Sequence, residues 1–187
     1  MVSAIQLANA SAGKAFGRSA DLKIGATEER FLGFSIQPDN YALLSLNNLQ
    51  GAIELPVSEI LPVPQMAPYL LGIVNWRGKS TWVADLAQFM GGEYYSQRCP
   101  QATKATVLMV QVGTTTIGLM VDRTISVTTY DPALAIPIDD NFVAAKIRRF
   151  LAGYFLDPTE LIPTNQTQTG RTWLLIDLPC IFQAMNL

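Results

Sequence analysis

The sequence predicts a mainly β protein made of two small β-barrels with a few short helices. Three observations support this: many short apolar segments separated by turn residues, few stretches with helical spacing, and a strand–Asp–helix ending that occurs twice. Short strands close economically into small barrels, which also protects their edges. We expect the first barrel at about residues 31–92 and the second at about 104–187, with exchange of strands between them left open.

The repeated ending reads Val83-Ala-Asp85-Leu in the middle of the chain and Ile176-Asp177-Leu near its end, each followed by an apolar helical turn. An Asp at this place can accept hydrogen bonds from the free backbone N–H groups at a helix start. The repeat predicts two similar half-domains packed together. Such an arrangement is more typical of a binding scaffold than of a protein with one catalytic pocket.

The composition favours a protein that binds other proteins. Hydrophobic residues make up 49% of the chain and charged residues 15%, so part of the apolar surface is expected to be covered by partners. The net charge is −2, and the one basic cluster, Lys146 with Arg148 and Arg149, is too small for a nucleic-acid footprint. No segment is long and apolar enough to span a bilayer, so direct membrane insertion is not expected.

Residues 1–30 are rich in Ala, Ser and Gly and lack the order of a secretory signal, which predicts a flexible N-terminal extension. Cys99 and Cys180 have no metal-type spacing and are too few for a disulfide framework. The simplest location is the cytoplasm. The chain has no histidine, which removes Ser-His and Cys-His nucleophile pairs and His-containing metal sites.

The first half reads as two hairpins joined by an extended segment. Residues 31–36 and 41–46 alternate like paired strands around the turn residues 38–40. Residues 61–64 must be extended, because each proline pushes its predecessor out of the helical region. A second hairpin turns at Gly78, which suits positive φ, and its returning strand ends in a short helix after Asp85.

The second half restarts the pattern after a polar connector at residues 93–103. Residues 106–112 and 116–121 form the next predicted hairpin, and residues 136–138 repeat the proline-containing extended piece. A helix capped by Asp139 or Asp140 is predicted to follow, with apolar residues at helical spacing up to residue 151. A last strand at residues 172–176 leads into the closing helix.

The octapeptide Leu71-Gly-Ile-Val-Asn-Trp-Arg-Gly78 resembles a segment of the CheW-like family, adaptors that couple chemoreceptors to a histidine kinase in bacterial signalling arrays. The ordered set of motifs covers about residues 30–187, and its Asn-Trp-Arg-Gly form looks most like adaptors of cyanobacterial pilus and phototaxis systems. The matching segments are Phe31-Leu-x-Phe, Tyr41-Ala-Leu, Ile60-x-Pro-x-Pro64, Asn75-x-Arg-Gly78, Val83-x-Asp-Leu86, Ile117-Gly-Leu-x-Val-Asp122 and Leu151-Ala-Gly153.

The resemblance implies two five-stranded SH3-like barrels around a shared core, with no catalytic residue, metal or cofactor. It implies two partners: the regulatory domain of a CheA-like histidine kinase, and the cytoplasmic hairpin tip of a chemoreceptor bound in the groove between the barrels. The residues that it assigns to the kinase are Leu46, Leu49 and Ile53. Those that it assigns to the receptor are Asn75, Arg77, Gly118 and Val121.

The chain departs from the family pattern in two places. Gly51 stands where the family often carries an acidic residue, and residues 161–170 make a longer last hairpin than usual. On composition alone Arg77 is a solubilising turn residue, and Leu49 is as easily inward-facing as outward-facing. Exposed barrel edges would permit self-association.

A rival hypothesis is a small-molecule-binding or enzymatic protein with a pocket between the barrels. The acidic residues available for such a pocket are Asp122, Asp131 and Glu160.

Overall fold

The computed structural model describes residues 28–139, 142–163 and 168–186. Within them the strands are β1 Glu29–Gln37, β2 Asn40–Ser45, β3 Leu49–Pro56, β4 Leu70–Trp76, β5 Lys79–Asp85, β6 Lys104–Val112, β7 Thr115–Val121, β8 Arg123–Tyr130, β9 Leu151–Pro163 and β10 Gln168–Ile176. The helices are α1 Leu86–Phe89, α2 Tyr95–Arg98, α3 Ala145–Arg148 and α4 Leu178–Met185. Single 3₁₀ turns occupy Leu46–Asn48, Val57–Glu59 and Pro132–Leu134.

The prediction of a mainly β fold with two five-stranded units and short helices is confirmed. One sheet has the strand order β3-β6-β7-β5-β4, and we call the unit it forms the middle barrel. The other has the order β8-β1-β2-β10-β9, and we call its unit the terminal barrel, because it joins strands from both ends of the domain. Each sheet contains one parallel pair, β5 with β7 and β2 with β10.

This topology corrects the expected division into residues 31–92 and 104–187. The middle barrel uses residues 49–121, whereas the hairpin β1–β2 leaves its sequence neighbours and completes a sheet whose other strands follow residue 122. Hairpin pairing is dictated by local turns, but the parallel pairing of β2 with β10 joins segments far apart in sequence. The strand exchange that the sequence left open is thus the actual arrangement.

The two barrels are one repeated unit in permuted order. The segments β3, β4, β5 and α1 have their counterparts in β8, β9, β10 and α4, with identical pairing directions. The hairpin β6–β7 that closes the middle barrel corresponds to the hairpin β1–β2 at the start of the domain. The sequence repeat at Asp85 and Asp177 is therefore one visible part of a complete structural repeat.

A glycine marks the same place in each barrel. Gly72 has φ +146°, and a Cβ on it would lie 2.2 Å from the carbonyl oxygen of Leu61. Gly153 has φ +156°, and a Cβ there would lie 2.9 Å from the carbonyl oxygen of Ile136. Each glycine lets a proline-containing extended segment cross its strand at close range, which only a residue without a side chain permits.

Alternation along the strands builds three apolar clusters. In β1, Leu32 and Phe34 enter a core shared by the two barrels, whereas Phe31 points into the terminal barrel. In β6, Leu108 enters the shared core, whereas Val107 points into the middle barrel. The short helices α1, α3 and α4 cover the shared core. One sheet face fills each barrel and the opposite face joins the barrels into one body.

Two local predictions are adjusted by the structure. Strand β1 begins at Glu29, so the domain starts slightly before the predicted residue 31; residues 1–27 of the predicted extension lie outside the described residues. The helix near residue 147 begins at Ala145 without a side-chain cap, which makes the predicted cap at Asp139 wrong; Asp140 lies outside the described residues. Across the described ranges, no helix is long and apolar enough to cross a membrane.

Candidate functional site

The three residues assigned to the kinase lie along one edge of the middle barrel. Strand β3 is the outer strand of its sheet, paired on one side with β6. Leu46 and Leu49 are half-buried against the shared core, and Ile53 is half-buried against the interior of the middle barrel. The structure thus places all three on one edge, with their side chains turned mainly inward. Of the two orientations that the sequence allowed for the Leu49 side chain, the structure shows the inward-facing one.

The outward face of β3 carries other residues, which the sequence did not single out. Gln50, Ala52 and Glu54 are exposed, in alternation with the inward residues of the same strand. These exposed side chains form an accessible contact surface on the outer strand of the sheet. Period-two alternation would have indicated these residues once the inward face was known.

Gly51 has a structural reason to lack a side chain. A Cβ at this position would lie 3.3 Å from Cη2 of Trp76, so the indole ring of β4 packs directly over the backbone of β3. This contact closes the seam between the two outer strands of the middle barrel. A side chain at position 51 would require the Trp76 ring to shift by a few tenths of an ångström.

The turn at residues 77–78 places the Arg77 guanidinium over the Trp76 ring. Arg77 has φ +51° and Gly78 φ +81°, as in a two-residue hairpin turn, and the Gly78 N–H donates to Oδ1 of Asn75 at 2.9 Å. The Arg77 guanidinium carbon lies 4.8 Å from the Trp76 ring centroid, within the range of a cation–π contact. Positive φ at Gly78 is thereby confirmed, and Arg77 has a defined position on the surface.

The structure separates the four residues assigned to the receptor. Asn75 and Arg77 are exposed at the hairpin tip, but Gly118 and Val121 are buried in β7. A Cβ on Gly118 would lie 2.7 Å from Cγ1 of Val107, so this glycine makes room inside the middle barrel. Val121 belongs to the shared core. Neither reaches a surface, and we leave both out of the surface proposed below.

The connector at residues 93–103 contributes a buried cation that the sequence did not reveal. Arg98, whose side chain is 4% exposed, donates to Oδ1 of the fully buried Asp85 at 2.7 Å and to Oδ1 of Asp122. It also donates to the carbonyl oxygen of Ile36 in the terminal barrel at 3.4 Å. We call Arg98, Asp85 and Asp122 the Arg98 node. It ties the ends of β5 and β7 to strand β1.

Burial raises the pKa of the Asp122 carboxyl above its ordinary value of 3.8, and this outweighs the opposite effect of the Arg98 guanidinium. Burial is also the largest cause of the raised pKa values of Tyr95 and Cys99 beside the node. Removal of charged groups from water is costly even when they are paired. Burial of the charged groups in the Arg98 node therefore reduces the stability that their contacts provide.

A comparison with Asp122→Asn tests this electrostatic assignment. The folded protein binds the Asp122 proton more tightly than the unfolded chain, so this carboxyl favours folding at low pH and loses that contribution as pH rises. The free energy of unfolding of the unchanged protein, minus that of Asp122→Asn, should fall as pH rises from about 3.8 through the folded pKa. Urea unfolding curves at a series of pH values measure it. A difference that rises over this interval would contradict the assignment.

The acidic residues of the rival enzymatic hypothesis have structural roles where their side chains are described. Asp122 is in the Arg98 node, and Oδ1 of Asp131 accepts a hydrogen bond from the Ala133 N–H at 3.0 Å in a 3₁₀ cap. The side chain of Glu160 lies outside the described residues. Asp85 and Asp177 cap α1 and α4, which confirms the predicted capping. Within the described ranges, no cluster of His, Cys, Asp and Glu could hold a metal ion.

The comparison with known families agrees with this arrangement of two barrels. Residues 30–185 match the family described as the CheW-like domain. The chain belongs to the CheW-like family. The matched range includes every strand except the first residue of β1, and it leaves residues 1–29 outside.

Two relatives place this CheW-like chain more closely. The chemotaxis protein CheW of Thermotoga maritima is 30% identical over 100 residues, which are 53% of this chain and 62% of that protein. The match thus spans somewhat less than two thirds of that relative. The crystal structure of the scaffolding protein TtCheW from Thermoanaerobacter tengcongensis has a TM-score of 0.59 and 18% identity, over 80% of this chain and 88% of that one. It shows the same fold.

Proposed function

We propose that this CheW-like protein is a non-enzymatic adaptor that couples a chemoreceptor of the methyl-accepting type to a CheA-like histidine kinase in the cytoplasm. The family match over residues 30–185 carries the proposal. The adaptor would control taxis or pilus-based motility, and the form of the Asn75–Gly78 turn favours the pilus and phototaxis branch.

The outward face of β3 is the proposed kinase-binding surface. Its exposed contacts would come from Ala52 and its neighbours on β3, while Leu46, Leu49 and Ile53 would support them from below. A kinase regulatory domain of similar fold can pack against the exposed side chains of β3, whose size and charge would supply specificity.

The hairpin tip is the proposed receptor contact. Arg77 is exposed, stacked on Trp76 and held by a defined turn, so little side-chain entropy remains to be lost on binding. Its planar guanidinium suits polar groups on a helical hairpin. Because Trp76 also packs over Gly51, the receptor contact and the kinase-binding surface are joined through one rigid seam.

The mechanism would be positional. Two surfaces on one rigid body fix the kinase relative to the receptor, and a change in the receptor alters the relative stability of kinase arrangements. The apolar core shared by the barrels and the Arg98 node that ties them together both favour rigidity over hinge motion. No bond is made or broken by this chain in such a role.

Binding of the purified chain to the C-terminal regulatory domain of each histidine kinase from the same genome tests the kinase contact. We expect saturable one-to-one binding by calorimetry, weakened at least about tenfold by Ala52→Arg, a loss of about 1.4 kcal/mol. Leu49→Asp should weaken it further but also charges a half-buried position, so Ala52→Arg is the cleaner variant. No binding to any of these kinase domains would overturn the proposal.

Binding to a receptor hairpin tip, measured in the same way, tests the second contact. Arg77→Asp should weaken this association while leaving the midpoint of urea unfolding nearly unchanged, because the side chain is exposed. Lys79→Asp, the matched charge reversal at an exposed residue of the same hairpin, should have a smaller effect because Lys79 does not stack on Trp76. Equal losses for the two variants would show that net charge matters and the Arg77 position does not.

A further inference from the structure

One end of the middle barrel is covered by a helical turn that supplies an aromatic ring and a cation. The turn is α2, within the connector at residues 93–103. Tyr95 donates its backbone N–H to Oδ2 of Asp85 at 2.9 Å and its hydroxyl to the carbonyl oxygen of Lys104 at 2.8 Å. Arg98 donates to Oδ1 of Asp85 at 2.7 Å. Residues three apart in a helix lie on one face, so a single turn presents both groups to the barrel end.

The strand registers locate the matching place in the terminal barrel. The register shift between the outer strand and its neighbour falls beside Ser126 in β8 and beside Gly51 in β3. Both strands are followed by a 3₁₀ turn, and both sheets have one parallel pair that leads into a capping Asp. These registers give four equivalent pairs, written with the residue of the terminal barrel first: Asp177 and Asp85, Pro132 and Val57, Ala152 and Leu71, Leu175 and Val83.

A cavity of about 220 Å³ lies at this place in the terminal barrel, and we call it the terminal cavity. The residues of the terminal barrel in all four pairs line it. In the middle barrel, Val57 and Leu71 pack like Tyr95 against the barrel interior, and the Val57 N–H donates to the carbonyl oxygen of Thr103 in the connector at 3.0 Å. The terminal cavity therefore corresponds to the place of the Tyr95 ring. An aromatic ring fits this volume, since benzene enters an apolar cavity of about 150 Å³.

The terminal cavity is acidic as well as apolar. Among the described residues that line it, Glu29 and Asp177 are the ionisable ones and none is basic. Asp177 caps its own helix, and Glu29 accepts hydrogen bonds from the side chains of Ser45 and Asn47. The Arg98 node likewise has two carboxylates, and there they flank a guanidinium. By charge complementarity, the terminal cavity suits a ligand with a cation beside an aromatic ring.

We propose that the terminal cavity binds a helical turn of a partner protein in which an aromatic residue is followed three residues later by Arg or Lys. The ring enters between Pro132 and Ala152, and the cation lies beside Asp177 and Glu29. A peptide suits this place better than a small aromatic cation, because Asp85 in the equivalent position also accepts a backbone N–H. The proposal does not rest on kinase or receptor coupling.

A peptide copy of the built-in turn tests the proposal. The probe is a capped peptide of residues 92–99 with Cys99→Ser, titrated at low salt into the isotope-labelled full-length protein and followed by NMR. We expect saturable shift changes around Ala152 and Asp177. Changing Tyr95→Ser or Arg98→Gln in the peptide should weaken binding by at least about tenfold, since each removes an anchor.

Variants of the protein test the two halves of the terminal cavity separately. Glu29→Gln combined with Asp177→Asn removes both charges but keeps a hydrogen-bond acceptor and a helix cap, and should weaken binding by about tenfold. Glu54→Gln, the same change at an exposed residue of the middle barrel, should alter it by less than about twofold. Ala152→Trp should fill the terminal cavity and abolish binding, whereas Ala52→Trp on the other barrel should not.

Three outcomes would overturn the proposal. The first is the absence of saturable binding, and the second is equal binding of a scrambled peptide, which would show that net charge alone is responsible. The third is a set of shift changes around Asp85, because the peptide would then replace the built-in turn of the middle barrel. If Ala152→Trp disturbs folding, the two charge variants keep the test decisive. Since no kinase or receptor is present, failure here is distinguishable from failure of the coupling function.

Discussion

Replacement of Arg98 by Met is expected to lower the free energy of unfolding by about 3–5 kcal/mol, because it leaves a buried carboxylate without its counter-charge. Asp85 is fully buried, and backbone N–H groups would remain as its donors. Met matches the length of the Arg stem, so most of the packing is kept and the loss reports on charge. Urea unfolding followed by tryptophan fluorescence measures the change.

Two comparison variants isolate the cause. Arg30→Met makes the same change on an exposed part of β1 and should alter stability by no more than about 0.5 kcal/mol. Adding Asp85→Asn and Asp122→Asn to Arg98→Met should recover part of the loss, because the uncompensated charges disappear while Asn can still cap α1. A loss below about 1 kcal/mol for Arg98→Met would show that water reaches the node and that the assigned burial is wrong.

Gly72→Ala is expected to destabilise the protein by about 3 kcal/mol or more, through steric overlap and an unfavourable φ acting together. The added Cβ would meet backbone atoms of Leu61 at 2.2 and 2.6 Å, which cannot move aside as a flexible side chain can. The paired hydrogen bonds between Leu61 and Ile73, both 2.9 Å, would have to break. Thermal and urea unfolding measure the loss.

Gly113→Ala is the matched control for this change. Gly113 has φ +59°, and nothing lies within 4 Å of its hypothetical Cβ, so it reports the cost of the backbone conformation alone, about 1 kcal/mol. Gly153→Ala should resemble Gly72→Ala, since it occupies the counterpart position in the terminal barrel. If Gly72→Ala costs no more than Gly113→Ala, the close crossing at Leu61 is not a constraint on the fold.

Features that depend on neighbouring residues were predictable from the sequence. The Arg77-Gly78 turn follows from the conformational freedom of glycine, and the caps at Asp85 and Asp177 follow from side chains placed just before apolar helical turns. The mainly β class follows from the repeated short apolar runs. Each signal acts over a few residues, so no knowledge of distant partners was needed.

Features that depend on distant partners were not predictable in this way. Arg98 sits in a polar segment that reads as a connector, and its buried role appears only when β5, β7 and β1 meet around it. The sequence suggested Gly118 as a place where a partner helix approaches, but in the structure this glycine makes room for Val107 inside the middle barrel. Gly51 looks like a lost charge until Trp76 is seen to pack over it.

The sequence by itself determined the fold class, the hairpins, the helix caps at Asp85 and Asp177 and the family of this chain, because backbone propensity, turn chemistry and alternation act locally. Tertiary structure alone decided which barrel the hairpin β1–β2 completes, which face of β3 is exposed, and where Arg98 finds its carboxylates. The physical reason is that burial belongs to the assembled sheets. A strand specifies two faces, but only packing against another sheet chooses which of them enters a core.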